Sequence, residues 1–528
     1  MFIVDFIIFV LVLGVIILIH ELGHFYFAKR AGILCHEFSI GMGPAIYQKR
    51  SGETIYSIRA IPIGGYVSMA GESVNDALIK KDMVIGINTN EQGQIYQINL
   101  SSDLKSDTVG IVKSFDLYGK DFDPLYIEIE TKDVVVQYPV IRNAVYRLNE
   151  KREMWITPSE KSFETKTLWQ RFLVIFAGPF MNFILAIVLF SIVGFFVKQP
   201  NLDSSEILGV SPDSPAVTAG LQSGDILTDI NGEAIQSWYE LSAQMQSLNT
   251  GMISMSYQRS GTVYQVDNVV ISVIIQMAGI SNVQYDEDDQ FVAIYNSEPM
   301  IGTAFGRAET DGLLKSGDVI TNLEIVGGPS SAITSWDDII VFFKSNTRGS
   351  LILSYERDGV SKDATYNLIS KDALGRLGYQ AIVFQIGITP TSDFNLGYTL
   401  AYPFKTFYSN MMQVFNTLGL LFDAKEDLGL GDLSGPVGIF TLVSSTASQG
   451  FLAIIGFTGF LSINIGLLNL MPIPALDGGR LVFLGIEAVT RKPLNRKIEN
   501  TINNVMFFLL IGLFIFVTYN DILRLIKG

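Results

Sequence analysis

The chain has 528 residues, 48% of them hydrophobic and 17% charged, with a formal charge of −15. Its mean hydropathy of +0.33 is too high for an ordinary soluble protein, and its charged content is too high for a bare bundle of membrane helices. A membrane protein with sizeable soluble parts remains; the acidity excludes a nucleic-acid partner, and a single cysteine, Cys35, excludes an internal disulfide.

The first apolar stretch, within residues 1–30, carries His20-Glu21-Leu22-Gly23-His24. On a helix, residues i and i+4 share one face, so His20 and His24 can grip one zinc ion. Glu21 then lies beside the metal, placed to take a proton from the attacking water. The run 6–19 is wholly apolar, and Glu21 is the only formal charge between Asp5 and Lys29. A carboxylate at membrane depth is costly and marks function. The stretch lacks the basic start and small-residue cleavage site of a signal peptide. His36, the only other histidine, lies among polar neighbours and reads as a surface residue.

Residues 31–72 are expected to form a β-hairpin region and include Ile-Pro-Ile-Gly-Gly-Tyr-Val-Ser-Met-Ala-Gly at 61–71, a short apolar strand after a glycine turn. Residues 73–160 form a polar insertion with alternating apolar stretches and read as a small β-rich unit. Residues 171–198 are a second membrane span, charge-free from 172 to 197.

Residues 201–390 contain a repeat. Gly220-Leu-Gln-Ser-Gly-Asp225-Ile-Leu recurs as Gly312-Leu-Leu-Lys-Ser-Gly317-Asp318-Val-Ile, Ser237-Trp238 as Ser335-Trp336, and Ser256-Tyr-Gln-Arg-Ser-Gly261 as Ser354-Tyr-Glu-Arg-Asp-Gly359. The pattern resembles PDZ domains, expected at 203–276 and 277–390. Such domains bind extended peptides by strand addition, which makes peptide carboxy-termini candidate partners. The lead-in at Met300 matches poorly that of the first copy, 210–216.

Residues 396–423 are apolar with scattered polar residues and are expected to lie on the membrane surface. Residues 451–489 hold a third span that ends in Asn469-Leu-Met-Pro472-Ile-Pro474-Ala-Leu-Asp477-Gly478-Gly479, and 501–522 a fourth. Two prolines in three residues break a helix, and broken helices at membrane depth line cavities or lie buried in protein. Basic residues cluster at 29–50, 161–171 and 480–497, whereas Arg259 alone is basic between 200 and 300. The positive-inside rule then puts both termini and the repeat outside, and the 30–170 and 477–503 regions in the cytoplasm. His20 and Asp477 thus arrive at one depth, near the cytoplasmic face. Two histidines and a carboxylate leave the open position that a catalytic zinc needs.

HELGHF in the first span, Phe176-Ala-Gly-Pro179-Phe-Met-Asn182 in the second and Asn-x-x-Pro-x-Pro-x-Leu-Asp-Gly in the third resemble the site-2 proteases, intramembrane zinc metalloproteases. Phe38-Ser-Ile-Gly41 and Ser434-Gly-Pro-Val-Gly438 extend the resemblance. It is strongest to the bacterial branch that cleaves membrane-embedded anti-sigma factors and signal-peptide remnants. It implies one Zn2+ held by His20, His24 and Asp477, with Glu21 as catalytic acid/base. It also implies that Gly64, Gly65, Tyr66 and Val67 pair with an unwound substrate as an edge strand, and that Asn464 and Asn469 lie near the cleft. The expected fold is a four-span α-helical protein of the bacterial cell membrane, with two extracytoplasmic PDZ-like α+β domains and a β-rich cytoplasmic insertion. The expected activity is hydrolysis of single-span membrane proteins in or near their membrane segment, in contact with the lipid bilayer. A catalytically dead PDZ-bearing scaffold is the alternative, and the intact Glu21 speaks against it. A metal transporter would need polar residues along several spans.

Overall fold

The structure, a computed structural model, describes residues 2–71, 77–150, 152–212, 214–285, 291–292, 299–423, 426, 429, 433–492 and 494–527. Residues 73–76 and 151 of the expected insertion, and 213, 286–290 and 293–298 of the expected PDZ-like domains, lie outside these. Four helices among the described residues are long and apolar enough to cross a membrane: Phe2–Arg30, Leu168–Phe196, Phe451–Leu470 and Lys497–Leu523, spans 1 to 4. Span 1 is apolar on nearly every side, as a helix in lipid must be. Asp5 in its first turn and Lys29 and Arg30 in its last complement the helix dipole. The Leu396–Leu421 helix has 26 residues but falls short of spanning hydropathy. Thr399, Pro403 and Val414 are buried on one side, while Leu400, Phe404 and Tyr408 are exposed on another.

The chain divides into two compact units, Met1–Leu189 with Ala453–Leu513, and Phe190–Leu452 with Phe514–Gly528. In the first unit, span 1 leads into strands β1 (Cys35–Ser51) and β2 (Thr54–Met69). Gly41 and Gly43, at φ 84° and 83°, turn β1 in a conformation that side-chain-bearing residues avoid. Both strands therefore double back. The stretch Glu37–Ile40 aligns with Ile55–Ile58 on one side and with Gly65–Ser68 on the other. The second half of β2 is left as an edge; among the described residues no further strand pairs with it.

Strands β3 (Val84–Thr89), β4 (Ile95–Asn99), β5 (Thr108–Asp116), β6 (Tyr126–Thr131), β7 (Val134–Asn149) and β8 (Arg152–Trp155) follow, in the sheet order β4-β3-β5-β6-β7-β8. A parallel β4–β7 pairing closes β3 to β7 into a barrel. Alternation explains its core: Ile127 and Ile129 of β6 point in with Ile85, Ile87, Ile95 and Ile98, while Glu128 and Glu130 point out. Closure removes the edges that an exposed sheet would offer to other strands.

The second unit carries the repeat. Its first sheet orders Glu233–Ala234, Ile226–Ile230, Met252–Arg259 and Thr262–Val270; the second orders Ser330–Ala332, Val319–Ile325, Ser350–Arg357 and Val360–Asn367. The repeated letters have repeated jobs. Buried Asp225 takes both ends of the Arg259 fork at 2.8 Å, and Asp318 takes Arg357 at 2.6 and 2.7 Å. Ser237 and Ser335 cap the helices Trp238–Ser247 and Trp336–Ser345. Trp238 Nε1 donates to Glu206 O and Trp336 Nε1 to Met300 O, so the poorly matching lead-in occupies the equivalent place. The copies are nested. After the second, Ile382–Gln385 pairs with Ser272–Ile275, Ile388–Pro390 with Ile207–Val210, and Ser392–Asp393 with Gln199–Pro200. A division at 276/277 separates the letters of the repeat but not its sheets.

The Ser434–Gly438 motif also finds a physical reason. Buried Asp521 accepts the Gly438 amide at 2.8 Å and so caps the Pro436–Ser448 helix from the far end of the chain.

Candidate metal centre and active site

His20, Glu21 and His24 occupy the last third of span 1. Span 1 packs tightly on span 2 here: a Cβ on Gly23 would meet Ala177 O at 2.4 Å. The helical spacing turns both imidazoles to one side, with Nε2 to Nε2 3.1 Å and each residue only 8% exposed.

The third donor arrives through a broken helix. Span 3 stops at Leu470, and the Pro472 and Pro474 segment leads to a new helix, Asp477–Thr490. Asp477 stands at its first position, where the positive end of the helix dipole favours a carboxylate. Its Oδ2 lies 3.1 Å from His20 Nε2 and 3.3 Å from His24 Nε2. These three residues form the one group of metal-donor type among the described residues. His36 is elsewhere, with Nε2 3.3 Å from Thr157 Oγ1.

The donor set fits zinc. Ligands at ~2.0–2.1 Å from a tetrahedral ion lie roughly 3.3 Å from one another, close to the three separations seen here. Asp477 Oδ2 is buried and has no hydrogen-bond partner. His24 Nδ1 is 2.8 Å from Val174 O, which can only accept, so Nδ1 carries the proton and Nε2 presents a lone pair. Gly178 of span 2 makes the room. A Cβ there would stand 2.3 Å from His24 Nε2 and 2.8 Å from His20 Nε2.

A cavity of about 260 Å³ opens beside the cluster, lined among others by Glu21, Tyr66, Val67, Asn469 and Arg480. The first four are expected at the cleft from their motifs; the only signal in the sequence for Arg480 is its position three residues after Asp477. Asn464 is not in this lining; its Nδ2 donates to Phe460 O of its own helix at 2.9 Å.

The β2 edge passes directly by Glu21, since a Cβ on Gly65 would meet Glu21 Cγ at 3.5 Å. A cluster of side chains braces that edge from behind. Tyr66 OH donates to Glu37 Oε2 at 2.7 Å, and Arg59 Nη2 bridges Glu37 Oε1 at 2.7 Å and Tyr66 OH at 2.6 Å. Arg59 Nη1 adds Gly43 O at 2.6 Å, and Ser57 Oγ also donates to Glu37. Burial pulls the Glu37 carboxyl up, but the hydrogen bonds from Ser57, Tyr66 and Arg59 outweigh it and hold the group below the usual carboxylate range. Burial and Glu37 together push the Tyr66 hydroxyl up to about 12. The three rows of the sheet, carrying Arg59, Glu37 and Tyr66, are thus joined by charge-assisted bonds.

Residues 8–513 match the sequence pattern of peptidase family M50. The chain belongs to this family. It is 31% identical over 521 residues to the zinc metalloprotease RasP of Shouchella clausii, covering 98% of each chain. It is 30% identical over 519 residues to RasP of Oceanobacillus iheyensis, again over 98% of each. Among solved structures it is similar to the PDZ domain of an SdrC-like protein from Listeria monocytogenes, 22% identical over 17% of this chain and 81% of that one, with a TM-score of 0.12. This M50 peptidase is a site-2-type intramembrane zinc metalloprotease, and its cofactor is Zn2+.

Proposed function

We propose that this M50 peptidase hydrolyses single-span membrane proteins in or near their membrane segment, close to the cytoplasmic face, with anti-sigma factors and signal-peptide remnants as the substrate class. The observation that carries this reading is the open edge of β2 beside Glu21 and the metal cluster. A helical substrate hides its amides in its own hydrogen bonds and must unwind before its backbone can be attacked. An edge strand offers those amides and carbonyls new partners at the moment of unwinding. Gly64, Gly65, Tyr66 and Val67 supply that edge, and Asn469 faces the same cavity.

His20, His24 and Asp477 hold the ion. Zinc, when bound, supplies a Lewis acid that activates water and polarises the scissile carbonyl. Glu21 accepts the proton of the attacking water and returns it to the leaving amine. The basic loops support a cytoplasmic position for this chemistry and an extracytoplasmic one for the PDZ-like tandem. There the tandem acts as a size filter, keeping substrates with bulky outer domains from the cleft. The nested sheets and the bonds from Lys344 Nζ to Ser247 O and from Gly251 N to Asp337 Oδ1 tie the two copies to each other, which suits a filter.

A second reading of the tandem rests on a cavity of about 410 Å³ between the Trp238–Ser247 helix and the 384–388 segment, lined by Trp238, Leu241, Met245, Phe384 and Ile388. A groove between helix and strand suits an extended peptide, such as a carboxy-terminus freed by an earlier cut. Membrane proteomics comparing wild type with Glu21→Gln tests the main reading. Single-span proteins and signal-peptide remnants should accumulate in the variant; an unchanged membrane proteome would refute the substrate class.

A further inference from the structure

The two histidines of the cluster are held from behind by one helix, span 2, in two different ways. His24 has a backbone carbonyl, Val174 O, against Nδ1. His20 has a side chain, with Asn182 Nδ2 3.3 Å from its Nδ1. Asn182 is fully buried, at 0% exposure, and its Oδ1 has no hydrogen-bond partner. Its backbone is tied to span 3, because Ser462 Oγ donates to Asn182 O at 2.8 Å.

The proton count decides which amide atom must face the ring. For His20 Nε2 to offer a lone pair beside His24 Nε2 and Asp477 Oδ2, the single imidazole proton must sit on Nδ1. Nδ1–H facing Asn182 Nδ2 would set donor against donor. A half-turn of the amide exchanges its two ends. Oδ1 then receives the Nδ1 proton, which satisfies the amide oxygen and the imidazole donor together.

We propose that Asn182 is the positioning residue of His20: its Oδ1 accepts the Nδ1 proton, fixes the tautomer and aims Nε2 at the metal, as Val174 O does for His24. The inference rests on the reading of His20 as a ligand and gives the Asn182 of the second-span motif a task. Outer partners of this kind are worth roughly 10–100-fold in metal affinity.

The test is zinc affinity of the full-length protein in detergent, measured by competition with a chelator. Asn182→Asp keeps an acceptor and should bind zinc as wild type does or more tightly. Asn182→Ala and Asn182→Leu differ in bulk but share the loss of the acceptor, and each should weaken zinc by about 10–100-fold. Cobalt(II) gives a second readout: its visible absorption should shift in the Ala variant and match wild type in the Asp variant, whereas a folding defect would lower the amplitude without moving the bands. Wild-type affinity in Asn182→Ala, or an Asp variant as weak as Ala, would overturn the assignment. His20→Ala is the reference arm, since unchanged zinc there would remove the ligand reading itself.

Discussion

Asp477 Oδ2 lies 3.1 Å from His20 Nε2 and 3.3 Å from His24 Nε2, yet it is buried and makes no well-directed hydrogen bond to either. Three atoms with lone pairs converge on one point, an arrangement that is costly in a dry interior unless a cation stands between them. Two prolines and a helix start bring the carboxylate there from the far end of the sequence.

Two substitutions should therefore strike the metal by different routes. Asp477→Ala leaves only two protein donors and should lower zinc content and activity together. Gly178→Ala removes no donor, but its methyl would intrude on both Nε2 atoms and should have the same effect. His36→Ala should leave zinc bound. Metal analysis of the purified proteins reads all three; an unchanged zinc content in Asp477→Ala would remove Asp477 from the ligand set.

The brace behind the open edge of β2 should act on binding rather than on the metal. Glu37→Gln removes the charge that joins Arg59 and Tyr66 and should cost the hairpin about 2 kcal/mol. KM for a single-span substrate should rise while zinc content stays at the wild-type level. The pH sense follows from the shifts. The Glu37 carboxyl is held low, so its contribution is present above the unfolded carboxylate range and is lost only as pH falls through the lowered value. The Tyr66 hydroxyl is raised to about 12, so its contribution is present below the ordinary tyrosine range and is lost as pH rises through that value. Between these limits wild-type KM should carry no titration from the brace. A Glu37→Gln enzyme with unchanged KM would show that the edge needs no bracing.

Much of the centre was legible in the sequence because its ligands obey local rules. His20 and His24 lie one helical turn apart, and the charge pattern of the loops gave the expectation that Asp477 meets them, as its Oδ2 does at 3.1 and 3.3 Å. Repeated Gly-Asp and Ser-Trp pairs disclosed the duplicated domain because each pair has a local job, a buried ion pair or a helix cap. What stayed hidden depends on long-range pairing. Nothing in residues 382–393 says that they return to the first copy, nothing in β4 and β7 says that they close a barrel, and the doubling back of β1 needs the turn at Gly41 and Gly43. The contacts of Val174 and Asn182 with the histidine rings depend on the rotation of span 2, which an apolar helix does not reveal in its letters.

The PDZ-like tandem should govern which substrates are cut and not the chemistry. Deleting 203–388 leaves the Gln199–Pro200 and Ser392–Asp393 pairing to close the gap. The shortened enzyme should still cut a substrate already trimmed of its outer domain, and should now also cut the untrimmed one. Loss of trimmed-substrate cleavage, in protein that is inserted and zinc-loaded, would favour capture of a new carboxy-terminus over size exclusion.

The most direct measurement is made on Glu21→Gln, purified at full length and placed in lipid with a single-span substrate. The amide cannot accept the water proton but leaves every metal donor in place, so zinc per chain should match wild type while cleavage falls by about 100-fold or more. Cleavage at the wild-type rate in that zinc-loaded variant would contradict the assignment of Glu21 and the mechanism built on it.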